Sequence, residues 1–173
     1  MCIRDREILY RWFDIKSNET EAAWKTFMNI GYGKTAQSPL QGQELAMFIE
    51  GRDEFVMNRD RLLDAAIIKV DQLKNDYSPT YRGDLSMPGR DIWQKMKEWL
   101  MDAHKKGFLT PHDVTTGTQI AMIVTGGDID EGTIMNEDDI FGLERKAFLS
   151  LAKTNETKQR IKHMLAYGKP LRN

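Results

Sequence analysis

The chain has 173 residues, 40% of them apolar and 29% charged, an ordinary balance for a globular protein and one that excludes wholesale disorder. Twenty-five Lys and Arg stand against 26 Asp and Glu, so there is no basic footprint for nucleic-acid phosphates; the clusters Arg59–Arg61 and Lys105–Lys106 sit among acids and read as solvated helix faces. No apolar run approaches the ~20 residues of a membrane span, Met1-Cys2-Ile3-Arg4-Asp5-Arg6 lacks the features of a signal peptide, and the single cysteine, Cys2, excludes an internal disulfide, so the expected location is cytoplasmic.

The first legible helix covers 19–31, with Ala23, Phe27 and Ile30 on one face. Gly31-Tyr32-Gly33-Lys34-Thr35 follows it. A phosphate-binding loop would place another glycine where Met28 stands and a strand before it, so these residues read as a glycine-rich helix end. Ser38-Pro39-Leu40-Gln41 supplies an N-cap hydroxyl, a proline at the first helical position and a Gln at the capping-box position, predicting a helix over 39–49. Residues 52–57 could pair briefly as an extended piece.

Asn58 opens a helix over 59–75, whose Leu62, Leu63, Ala66, Ile67, Val70 and Leu73 recur at helical spacing. The Pro, Gly and Ser density of 76–90 reads as a loop. A helix over 89–106 carries Trp93, Met96, Trp99, Leu100 and Ala103 on one face, a core pattern rather than a cofactor pocket. Thr110-Pro111-His112-Asp113 caps the next, 111–125, and Gly126-Gly127 ends it. Asp128-Ile129-Asp130-Glu131-Gly132 opens like a calcium loop but has Gly132 and Thr133 at the positions for an acid and a glycine, so it reads as a turn. Asn136, followed by three acids, starts a helix over 137–152, and the last, 155–167, stops at Gly168 before Pro170. The expectation is an all-α chain of seven helices with little or no sheet. Residues 1–75 form an N-terminal helical part, 76–88 a loop and 89–173 a C-terminal helical bundle.

Chemistry is sparse. His104, His112 and His163 lie far apart with no metal-ligand spacing around them. Neither a nucleophile elbow nor a dinucleotide-binding glycine fingerprint is present. No flanking motif marks Glu7 or Glu19 as catalytic, so the expected catalytic set within the chain is empty, with no metal and no bound cofactor.

The last third carries a resemblance. Thr125-Gly126-Gly127-Asp128, the run Leu143–Leu151, Arg160–Leu165 and the closing Gly168-Lys169-Pro170-Leu171-Arg172-Asn173 resemble the end of fused 3-hydroxyacyl-CoA dehydrogenase/enoyl-CoA hydratase proteins of fatty-acid β-oxidation. Val56–Leu62 and Gly33–Ala36 are similar to the same crotonase-like part, so the resemblance runs from about Trp24 to Asn173; Met47 stands where the family has a glycine before its Phe-Leu pair. The resemblance implies a C-terminal fragment of an enzyme that handles acyl-CoA and assembles as a homo-oligomer. Its two catalytic glutamates, oxyanion hole and NAD-binding domain would all precede this region, and residues 1–6 would be foreign to it. Two other readings stand beside it: a non-enzymatic helical interaction or oligomerisation module, and the helical substrate domain of a hydroxyacyl-CoA dehydrogenase.

Overall fold

A computed structural model describes residues 3–16, 18–79 and 81–173, with no account of the side chains of 3–5; Cys2 lies outside the described residues. The described residues form eight α-helices, one 3-10 turn and two short strands, in line with an all-α class. The chain groups into two compact units, 35–82 and 1–34 with 83–173.

The larger unit contains α1 (Ile3–Ile15), α2 (Glu19–Gly31), β1 (Leu85–Met87), α5 (Gly89–Lys105), α6 (Pro111–Thr125), β2 (Thr133–Met135), α7 (Glu137–Ala152) and α8 (Asn155–Tyr167). Helix α6 is the hub, packing on α5, α2 and α7, while α1 lies on α2 and α8 on α7. Ile120, Ala121, Ile123 and Val124 of α6 are all buried. A helix apolar on several sides is one surrounded by neighbours. Gly117 lets α5 approach, since a Cβ there would lie 2.6 Å from Leu100 Cδ2.

Helix α1 was not expected, yet its Leu9 and Tyr10 belong to the core and Ile8 and Trp12 are buried beside them in the chain. Its Arg6 pairs with Glu137 at 3.2 Å and lies over the Phe141 ring on α7. Helices α1 and α2 thus share one core with α5, α6 and α7.

The strands pair antiparallel, Leu85 with Met135, Ser86 with Ile134 and Met87 with Thr133. They fall inside the expected loop and after the Asp128–Gly132 turn, whereas 52–57 forms no strand. Three-residue strands are too short for alternation to be read. What holds the pair is the turn before β2. Gly132 N–H donates to Met87 O at 2.9 Å and Arg90 N–H to Ile129 O at 2.8 Å. Gly89 has φ +72°, and a Cβ there would meet Ile129 O at 2.7 Å.

The smaller unit holds α3 (Pro39–Glu44), the 3-10 turn Arg59–Arg61 and α4 (Leu62–Leu73). Ser38 caps α3 as expected, but the helix stops five residues early. Ala46 takes φ +55° and Gly42 O accepts from both Met47 N–H and Phe48 N–H, folding the chain back. Phe48 then covers Gly42 so closely that a Cβ there would lie 2.3 Å from the ring. Phe48 also meets Phe55 edge-on, with ring centroids 5.1 Å apart.

Candidate functional site

A cavity of about 680 Å³ opens within the larger unit, a size usual for small-molecule sites. Its walls come from the end of α2, the second half of α5, α6, α8 and the segment after Gly168. Phe27, Met28, Trp99, Leu100, Ile120 and Met164 supply apolar surface. Rings of Trp24, Phe27 and Tyr32 all stand edge-on to Trp99, with centroids 5.9–6.5 Å away, the favourable geometry for aromatic contacts. Of the expected α5 face, Met96, Leu100 and Ala103 do go into the core, while Trp99 and Leu100 also line the cavity.

The polar side of the cavity is built on the N-terminus of α6. Thr110 and Asp113 form the capping box there: Thr110 Oγ1 accepts from Asp113 N–H and Asp113 Oδ2 accepts from Thr110 N–H. Two guanidiniums converge on the same carboxylate. Arg160 Nη2 donates to Asp113 Oδ1 at 2.8 Å and Arg172 Nη2 to Oδ2 at 2.9 Å. Arg172 Nη2 also donates to Phe108 O at 2.7 Å, and Arg160 Nε to Asn173 Oδ1 at 2.8 Å. Asn173 donates in turn to Gln159 and to Glu156 O of α8. The closing Leu171-Arg172-Asn173 is therefore stitched to α6 and α8 through its side chains.

Burial alone would raise the Asp113 pKa. The Thr110 N–H, the Arg172 and Arg160 guanidiniums and the Thr110 hydroxyl outweigh it and hold the carboxyl far below the usual carboxylate range. Such a group stays anionic near neutral pH and is a poor proton shuttle. It pairs with both arginines at the N-terminus of α6.

His112, buried beside Asp113, exchanges a hydrogen bond between Nε2 and Thr157 Oγ1 at 2.8 Å, tying α6 to α8. Burial pushes its pKa down and the nearby Arg160 adds to this. His104 Nδ1 bonds Leu109 O at 2.7 Å, and His163 Nδ1 bonds Lys169 O at 2.9 Å beside the Tyr167 ring. The three imidazoles thus serve separate local joints. Among the described residues no group of three His, Cys, Asp or Glu is placed to hold a metal ion.

Glu7 pairs with Arg11 one turn on along α1, and Glu19 lies in the first turn of α2; neither lines the cavity. Gly31–Lys34 closes α2: Gly33 N–H donates to Ile30 O and Lys34 N–H to Asn29 O, both at 3.0 Å. That is the carbonyl end of a helix, which repels rather than attracts phosphate. Asp128 and Asp130 face Arg90, with Asp128 in hydrogen-bond contact and Asp130 3.6 Å away. Asp128 and Asp130 thus face an arginine, where the turn reading expected their side chains on local backbone.

Sequence comparison adds a relative to this geometry. The chain is 30% identical over 153 residues to "Probable 3-hydroxyacyl-CoA dehydrogenase" of Bacillus subtilis (strain 168). The similarity covers 88% of this chain and 19% of that protein, so the chain spans about a fifth of its relative's length. No family model and no solved structure matches the chain. The similarity supports the dehydrogenase half of the resemblance; a fused hydratase has no counterpart in the relative's name. Among the described residues no helix is long and apolar enough to cross a membrane.

Proposed function

We propose that this chain is a helical part of a 3-hydroxyacyl-CoA dehydrogenase of fatty-acid β-oxidation that also carries an enoyl-CoA hydratase. In this reading it supplies packing surface, cover for an acyl-CoA site and subunit contacts of a homo-oligomer in the cytoplasm. The carrying observation is the 153-residue similarity to the Bacillus protein. The structure fits the supporting role. Phe141, Phe148 and Leu149 on α7, and Ile161, Met164 and Leu165 on α8, are exposed apolar groups that a larger body would cover. In this reading NAD is held by the parent's dehydrogenase domain.

A domain exchange tests the reading. The region of the Bacillus protein matched by this chain is replaced with the chain, and NAD reduction by 3-hydroxybutyryl-CoA is measured. Activity at least tenfold above a deletion of that region is expected, and a chimera that folds but matches the deletion would refute it. The chain alone should hydrate crotonyl-CoA no faster than buffer. The relative's name, which mentions only the dehydrogenase, favours a second reading: the helical substrate domain of a dehydrogenase without a hydratase partner. A parent that reduces NAD but leaves crotonyl-CoA untouched would select it.

A further inference from the structure

We infer that the outer face of α8 docks on an anionic lipid surface. The inference goes beyond the covering role proposed above and rests on the charge and exposure of α8 itself. The chain's net charge of −1 hides a segregation: residues 145–173 hold eight Lys and Arg against one acid, Glu156. Asp113 engages two of the eight, Arg160 and Arg172. The other six, Arg145, Lys146, Lys153, Lys158, Lys162 and Lys169, are exposed, and among the described residues none of them enters an ion pair.

Helix α8 has two sides with different tasks. Thr157 and Arg160 reach His112 and Asp113 on α6, and Met164 lines the cavity. Lys158, Ile161, Lys162 and Leu165 recur at three- and four-residue steps and form a second, exposed stripe, with Ile161 47% and Leu165 82% exposed. Lys153 precedes the helix and Lys169 follows it, extending the positive charge past both ends. Lysines flanking exposed aliphatic groups suit a helix lying in a lipid interface: the cations meet lipid phosphates and the aliphatic groups sink into the headgroup boundary. Nucleic-acid phosphates would engage the lysines but leave Ile161 and Leu165 in water. Protein interfaces favour arginine and are depleted in lysine, whereas every unpaired cation at α8 is a lysine. The aromatic groups of α7 stay available to the parent's body.

The experiment co-sediments the full 173-residue chain with vesicles of phosphatidylcholine, with and without phosphatidylglycerol. Binding is expected only where phosphatidylglycerol is present, and it should fall as salt rises. Lys158→Gln with Lys162→Gln should weaken partition about 25-fold, at about fivefold for each lysine near an anionic surface. Leu165→Gln should weaken it about fivefold, because the leucine no longer leaves water for the boundary. All three side chains are exposed, so the variants retain the fold, and circular dichroism checks this. Absence of binding to phosphatidylglycerol vesicles, equal binding to phosphatidylcholine alone, partition that the lysine changes leave intact, a Leu165→Gln variant that binds as wild type, or tighter binding to duplex DNA than to the vesicles would each overturn the assignment. None of these outcomes bears on the domain exchange, whose readout is NAD reduction.

Discussion

Helices α6 and α4 are both rich in aliphatic residues, and they meet opposite fates. Helix α6 has seven buried residues; α4 has none, and Leu62, Leu63, Ile67, Ile68, Val70 and Leu73 are each more than half exposed. Apolar spacing states that a helix wants a partner, but only three-dimensional neighbours decide whether it has one. In α6 the neighbours are α2, α5 and α7. The stabilisation of this chain should accordingly be concentrated around α6.

Truncation of the core sharpens this contrast most. Met96 and Ile140 are fully buried. Met96→Ala and Ile140→Ala should each cost about 3 kcal/mol in urea unfolding, the usual range for large-to-small core changes. A loss below ~1 kcal/mol for both would mean that the core around α6 is not the stabilising centre.

Next in size comes Asp113. Asp113→Asn leaves two guanidiniums facing a neutral amide and should cost roughly 2 kcal/mol at pH 7. Because the native carboxyl lies below its ordinary value of 3.8, the unfolded chain takes up the proton first. The contribution is complete above that value and drains away as pH falls below it, so the gap between wild type and variant should begin to narrow below pH 3.8 and go on narrowing with further acid. A gap that stays undiminished well below pH 3.8 would show that the carboxylate's charge is not what stabilises the joint. His112 adds a gentler slope: its lowered pKa means stability is full above about 6.5 and declines as pH drops below it, and His112→Gln should flatten that limb. Gly89→Ala, which combines φ +72° with backbone atoms inside contact distance, should cost about 1–3 kcal/mol by thermal unfolding.

Much of this architecture was legible from caps. Ser38, Asn58, Thr110, Asn136 and their followers mark helix starts because a side-chain oxygen satisfies a backbone N–H there, a local event. Helix α1 was readable too, since Ile8, Leu9, Trp12 and Phe13 fall at helical spacing, but no cap announces it. The early stop of α3 was hidden, because it depends on Ala46 adopting φ +55° so that Phe48 can fold over Gly42. The candidate site was half visible. Thr110–Asp113 is a sequence-local box, whereas Arg160 and Arg172 reach Asp113 from 47 and 59 residues away. Arg160 and Arg172 lay in the stretches that carried the family resemblance, yet nothing in their spacing tied them to an acid on another helix.

The smallest effect belongs to α4, and it is the most discriminating for the comparison. Leu63 and Ile67 lie one turn apart on the same side of the helix, and both are well exposed. Replacing both with Gln removes apolar surface that is already in contact with water, so the transfer term is nearly absent from the folded-state balance. The urea midpoint of the double variant should shift by no more than ~0.5 kcal/mol equivalent, as for surface changes generally. Self-association should respond instead: exposed aliphatic stripes drive contacts between molecules, and sedimentation velocity should show less of any species larger than the monomer. If the double variant lost more than ~1 kcal/mol with its sedimentation unchanged, α4 would be packed in solution, and the contrast with α6 would collapse.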